Sequence, residues 1–187
     1  MVVDEAVAES VRAAERVTLA VFGASCAERM AQLFTGLRGG DPNRTGDVDL
    51  FLEILDELWN LDLEGSIFSA RVDALQEFAE LQPSEEGLVD VDDIYAFYSV
   101  LCMRYAVLYR VSGDAEEALR CAHASLTALG QLDRNMSETA FFEGEHECQR
   151  RITLGDTVVD DSLQQLRNSD REASRERLIA VSSRLRK

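Results

Sequence analysis

A chain of 187 residues with 46% hydrophobic content can bury a core within one domain, and it is too apolar to be disordered. Its formal charge is -16 and its single lysine is Lys187, so it lacks the positive footprint that a nucleic-acid binder sets against phosphates. No apolar run approaches the ~20 residues of a membrane span, and the acidic start "MVVDEAVAES" is the reverse of a signal peptide's basic opening, so a cytoplasmic protein with neither nucleic acid nor membrane as partner is expected.

The elements read as helix after helix. Residues from about 4 to 37 hold Leu19, Phe22, Cys26, Met30, Leu33 and Leu37 at three- and four-residue intervals. "RGGDPNRTGDVD" is the clearest loop. A second helix, "VDLFLEILDELWNLD", places Phe51, Ile54, Leu55, Leu58 and Trp59 on one broad apolar face. A third, around residues 66 to 81, uses Ile67, Leu75, Phe78 and Leu81 and stops before Pro83, which disfavours helical geometry at Gln82.

"VDVDDIYAFYSVLCMRYAVLYRVSG" starts with Asp90 as a cap and Asp93 in the first turn. Ile94, Tyr98, Leu101, Tyr105 and Leu108 form one stripe, which Tyr95, Cys102 and Tyr109 broaden to nearly all round, and Gly113 ends the helix. Asp114 and Glu117 make a capping-box-like start for the next helix, whose small face is Ala118, Ala122 and Ala128. That segment has the flavour of a tetratricopeptide helix, but nothing comparable recurs at the ~34-residue period such an array requires. Residues 138 to 154 and about 157 to 185 complete the helices, and no run alternates as a sheet strand does. The expected fold is all-α: a compact single-domain bundle of six to eight helices, residues 1 to 187, around a central helix near residues 90 to 111.

Charge is uneven along the chain. Residues 167 to 187 carry seven arginines and lysines against three acids, a balance of +4, which leaves -20 on residues 1 to 166. The simplest reading of this basic tail is a terminal helix leaning on the acidic body. Cys26, Cys102, Cys121 and Cys148 are far apart and lie in periodic segments, where buried thiols are the ordinary outcome.

The chemically richest stretch is "FFEGEHECQRRI", residues 141 to 152. At about 100° per residue, Phe141, Gly144, Cys148 and Ile152 form its apolar stripe, Glu145 and Gln149 touch the margin, and Glu143, His146 and Arg150 face away. Glu143-x-x-His146 matches half of a di-iron carboxylate motif, but such a site needs a second Glu-x-x-His, and the one other histidine, His123, follows Arg120 at that spacing. A mixed site of Glu143, His146, Cys148 and His123 is the enzymatic alternative, either metal-dependent or acid–base. A carboxylate at the margin of a core must find a donor. A structural network of Glu145, Gln149 and Arg150 with Arg29 of the first helix is therefore expected, with Arg104 a further candidate.

The order of several short motifs resembles the uncharacterised helical family typified by the bacterial YjaG protein, over about residues 13 to 155. The motifs are Glu28-Arg29-Met30 after a small-residue run, Leu55-Asp56-x-x-Trp59, the acidic-to-aromatic "DVDDIYAFYSV", and Glu145 with Gln149 and Arg150. Cys148 stands where that family carries a bulky aromatic, and residues 156 to 187 form an extension without a counterpart. The resemblance implies a compact all-helical fold and supplies no activity, catalytic residue or cofactor.

Without a complete catalytic constellation, the leading expectation is a non-catalytic acidic module that binds a basic protein partner. Its candidate face is Asp49, Glu53, Asp56, Glu57, Glu85, Glu86, Asp90, Asp92 and Asp93. An immunity-type inhibitor of a basic toxin is a narrower form of the same expectation, by analogy with small acidic helical immunity proteins. Solubility alone also accounts for an acidic surface. No cofactor or metal is expected.

Overall fold

The computed structural model describes residues 3–82, 90–136, 139–154 and 160–185, and it is all-α, with eight helices and no strand among the described residues. Helix α1 (Glu5–Ala13) starts where the Asp4 carboxylate accepts from the Ala6 amide at 2.9 Å. The first long helix of the sequence reading is in fact two. Ala14 and Glu15 are both extended, with ψ of 154° and 155°, and α2 (Arg16–Arg38) sets off in a new direction. No glycine or proline marks this break. It lets α1 pack on α6 and α7, which buries Val7 and Val11 completely.

Helix α2 runs through the centre, with every residue from Leu19 to Ala31 buried. It packs against α3 (Thr45–Trp59), α5 (Val91–Ser112), α6 (Ala115–Arg134), α7 (Phe141–Leu154) and α8 (Asp160–Leu185). Small residues make this possible: a Cβ placed on Gly23 would sit 3.5 Å from the Ala106 Cβ of α5. Helix α5 shares the centre, since α2, α4 (Gly65–Gln76) and α6 all lie against it. Its buried side is Tyr95, Ala96, Ser99, Val100, Cys102, Met103, Ala106, Val107 and Tyr109. The expected stripe of Ile94, Tyr98, Leu101, Tyr105 and Leu108 is only half-buried. Alanines and Ser99 allow close approach to α2, and the Ser99 hydroxyl donates to the Met30 carbonyl at 2.8 Å, so the smaller residues face inward.

Helix α3 buries Phe51, Ile54, Leu55 and Leu58 and leaves Trp59 half-buried. On α4 the inward residues are Phe68 and Leu75, while Ile67, expected on that face, is 42% exposed. The chain then makes a tight turn at Ala79–Leu81, and Phe78 and Phe51 both pack on Phe34, with ring centroids 5.5 and 4.9 Å away. Gly113, at φ 69°, turns the chain between α5 and α6 in a left-handed conformation that suits glycine. Asp114 caps α6 through the Glu116 amide at 3.0 Å, and the small residues Ala118, Ala122 and Ala128 are buried beneath it. Asp133 near the end of α6 accepts from the Phe141 and Phe142 amides at 3.0 and 2.8 Å, and so sets where α7 begins.

Candidate functional site

Helix α7 is turned relative to the apolar stripe of the sequence reading. Glu145 and Gln149 are fully buried, His146 is 7% exposed and Ile152 6%, whereas Gly144 is exposed and Phe141 and Cys148 are half-buried. Charge on the neighbouring helices explains the turn. Arg29 of α2 is also fully buried, and its Nε and one terminal nitrogen each donate to a different oxygen of Glu145 at 2.8 Å. This parallel two-bond geometry is the strong form of an arginine–carboxylate pair.

Three more groups close around Glu145. Arg177 of α8 donates to Oε2 at 2.7 Å, Gln149 to Oε1 at 2.9 Å, and the Ser125 hydroxyl to Oε1 at 3.2 Å. The other terminal nitrogen of Arg29 reaches Asp170 of α8 at 3.0 Å and the Ser25 hydroxyl, which itself donates to Asp170. Arg177 also bonds the Arg29 carbonyl at 3.1 Å. Two arginines and two carboxylates thus form a charge-balanced cluster in the middle of the bundle, none more than 3% exposed. Burial pushes the Glu145 carboxyl up, but attraction to Arg29 and Arg177 and their hydrogen bonds outweigh it and hold the group well below the ordinary glutamate range. At Asp170 burial wins over Arg29 and Ser25, and the carboxyl is pushed up. Arg29 loses solvation but faces both acids, which hold its charge firmly. With both oxygens of Glu145 occupied and no solvent contact, this cluster fastens α2, α6, α7 and α8 together and offers no proton to a substrate.

A second cluster lies closer to the surface. Glu28, 3% exposed, accepts from the Trp59 indole at 2.8 Å and from Arg167 and Arg171 of α8, each at 2.9 Å. Arg167 also bonds Asp56 and lies over the Trp59 ring, 5.7 Å from its centroid. A third joins Glu80 to Arg38 at 2.8 Å and to Arg44, with Arg38 continuing to Asp92 and Asp93.

Several residues of the sequence reading fall elsewhere. Arg150 does not enter the Glu145 cluster; it pairs with Asp4 and ties α7 to α1. Arg104 makes no bond to Glu145, and its Nε is buried without a partner among the described residues. On the acidic face, Glu53 and Glu57 are held by Arg71, Asp56 by Arg167, and Asp92 and Asp93 by Arg38. Asp49 and Asp90 are exposed, and Glu85 and Glu86 lie outside the described residues. Glu143, His146, Cys148 and His123 do not come together. Glu143 and His123 are exposed, and the His146 ring stands edge-on to Phe142 at 4.7 Å with a buried Nδ1 that has no partner among the described residues. Among the described residues, the one trio of His, Cys, Asp or Glu close enough to share an ion is Asp90, Asp92 and Asp93, and Arg38 already bonds two of its members.

The sequence reading missed Asp170, Arg177, Ser25 and Ser125. A signal for the first two exists: Asp170, Ser174, Arg177 and Val181 recur at helical spacing and are all buried, a polar inward stripe in the segment expected to lean on the acidic body. Cys102 and Cys121 meet with their sulfurs 3.2 Å apart, next to Cys26, in the core between α2, α5 and α6. Family models, curated proteins and solved structures were each compared with the chain, and none matches it.

Proposed function

We propose that the protein is a non-catalytic acidic helical module that acts by covering the surface of a basic partner protein. The observation that carries this reading is the direction of the α8 arginines. Arg167, Arg171 and Arg177 turn onto Glu28, Asp56 and Glu145 of the bundle, so these three charges of the basic segment are matched by the body's own acids. Exposed carboxylates such as Glu5, Glu9, Asp49, Asp62, Asp73 and Glu77 have no arginine within ion-pair distance among the described residues. A field of one sign speeds the encounter with a partner of the other sign and rejects like-charged competitors, while packing at the contact supplies much of the affinity. The richest titratable cluster is sealed and internally neutral, which suits a scaffold that stays rigid on contact.

An inhibitor of a basic toxin is the narrower form of this proposal. The test begins with protein isolated from its own cells without a tag. Its stoichiometric partner is identified, and the association rate of the purified pair is followed by stopped flow from low to high salt. The rate falls steeply with salt if the acidic field guides the encounter. A rate indifferent to salt, or turnover in a broad hydrolase or transferase screen with no stoichiometric partner, overturns the proposal.

A further inference from the structure

A cleft of about 280 Å³ opens where the start of α2, the turn between α3 and α4, and the end of α5 meet. Two of its lining residues are arginines, Arg16 and Arg110, and neither has a carboxylate within ion-pair distance among the described residues. By contrast Arg12, Arg29, Arg38, Arg44, Arg71 and Arg167 are all paired with acids. Arg110 is held rigidly. It donates to the carbonyls of Leu58, Asn60 and Leu63 at 3.0, 3.2 and 2.8 Å, and its guanidinium covers the Phe68 ring at 4.5 Å. Leu61 and Leu63 of that turn line the cleft, so the guanidinium stands at its wall. Burial pushes Arg110 down and outweighs the opposing attraction of Tyr109.

Arg16 is exposed, and its guanidinium lies on Gly113, where an added Cβ would stand 2.6 Å from a terminal nitrogen. The Tyr109 hydroxyl donates to the Arg16 carbonyl at 2.9 Å and fixes the root of this side chain. The acids nearest along the chain, Glu15, Glu64 and Asp114, make no ion pair with either arginine among the described residues; Asp114 accepts from the Glu116 amide at 3.0 Å and Glu64 from the Ser66 hydroxyl at 3.5 Å. Val17 and Val111 flank the arginines and are 59% and 40% exposed, which places apolar surface at the mouth of the cleft. A half-buried cation without a counterion is costly, and guanidinium forks match carboxylate and phosphate oxygens.

We propose that this cleft binds a small organic oxyanion, a carboxylate or phosphate ester bearing a short apolar group, with the charge between Arg16 and Arg110 and the apolar group on Val17, Leu61 and Val111. The cleft is just smaller than the ~300–1,000 Å³ of sites for drug-sized ligands, so the ligand is small. This site is independent of the partner-binding proposal and stands or falls without it.

The test titrates the full chain with benzoate, phenyl phosphate, inorganic phosphate and the neutral analogue benzamide, following backbone amide shifts by NMR and affinity by calorimetry. Saturable shifts centred on Gly65, Val111 and Gly113 are expected from benzoate or phenyl phosphate, which also tells carboxylate from phosphate. Inorganic phosphate binds more weakly, and benzamide does not saturate. Arg16→Gln, at an exposed position that leaves the fold intact, weakens the organic anion by about tenfold or more, the worth of one charge-assisted hydrogen bond. Absence of saturable shifts from both organic anions, binding of benzamide equal to benzoate, inorganic phosphate equal to phenyl phosphate, or an affinity unchanged in Arg16→Gln would each overturn the proposal.

Discussion

Replacing Glu145 by alanine tests the central cluster directly. The change leaves Arg29 and Arg177 facing Asp170 alone, an excess positive charge among side chains that are all buried. It also strips Gln149 and Ser125 of their shared acceptor. Removing one partner of a buried ion pair costs about 3–5 kcal/mol, a large part of the ~5–15 kcal/mol by which a domain is stable. For a chain of this length it lowers Tm by roughly 6–20 °C. Urea titration followed by circular dichroism measures the loss. A cycle with Arg29→Ala sharpens it: the double variant keeps one cation, Arg177, and one anion, Asp170, so it loses less than the two single variants combined. A coupling above ~1.5 kcal/mol is expected for charges this close. A loss below ~1 kcal/mol for Glu145→Ala, or additivity within ~0.5 kcal/mol, would refute the reasoning that this pair fastens the bundle.

Acid reads the same cluster. The folded Glu145 carboxyl lies below its ordinary 4.5, so the stability it contributes is complete above that pH and declines as pH falls below it. Asp170, raised above 3.8, has the opposite sign, because its protonated form is favoured in the folded state. Glu145→Gln therefore loses less stability than the wild type between pH 5 and pH 3, and equal acid slopes would contradict this. Trp59→Ala removes the indole bond to Glu28 and the surface under Arg167, and should cost about 3 kcal/mol in denaturant titration; a loss below ~1 kcal/mol would make Trp59 peripheral. Gly65→Ala puts a Cβ 2.5 Å from the Arg110 carbonyl and forces α4 away from α5, for an expected loss of ~1–3 kcal/mol by the same assay. Cys26, Cys102 and Cys121 are buried, and burial pushes the Cys121 thiol well up, so a maleimide reagent should modify chiefly the half-buried Cys148 in native protein and all four thiols in denaturant. Rapid labelling of Cys121 in the native state would show that the core opens.

By itself the sequence determined that this is an all-α protein. Three- and four-residue apolar spacing, two prolines in all and capping residues such as Asp114 are local signals, and a helix satisfies its backbone hydrogen bonds locally. The pairing of Arg29 with Glu145 was partly legible for a related reason: a carboxylate at a core margin needs a donor, and Arg29 lies beside the apolar residues Cys26, Met30 and Leu33 of the first long helix. Tertiary packing decided the rest. The break at Ala14–Glu15 carries no local signal, and only the docking of α1 on α6 and α7 selects it. Periodicity placed Cys148 and Gly144 inward on α7, but the two guanidinium groups of α2 and α8 drew Glu145 and Gln149 to the centre, because an unpaired buried charge costs more than a few exposed apolar atoms gain. The basic tail reads as a terminal helix leaning on the acidic body, which fits a surface contact and an internal counterion alike. The difference lies in whether Asp170 and Arg177 meet Arg29 and Glu145, residues far apart in the chain that only the folded bundle brings together.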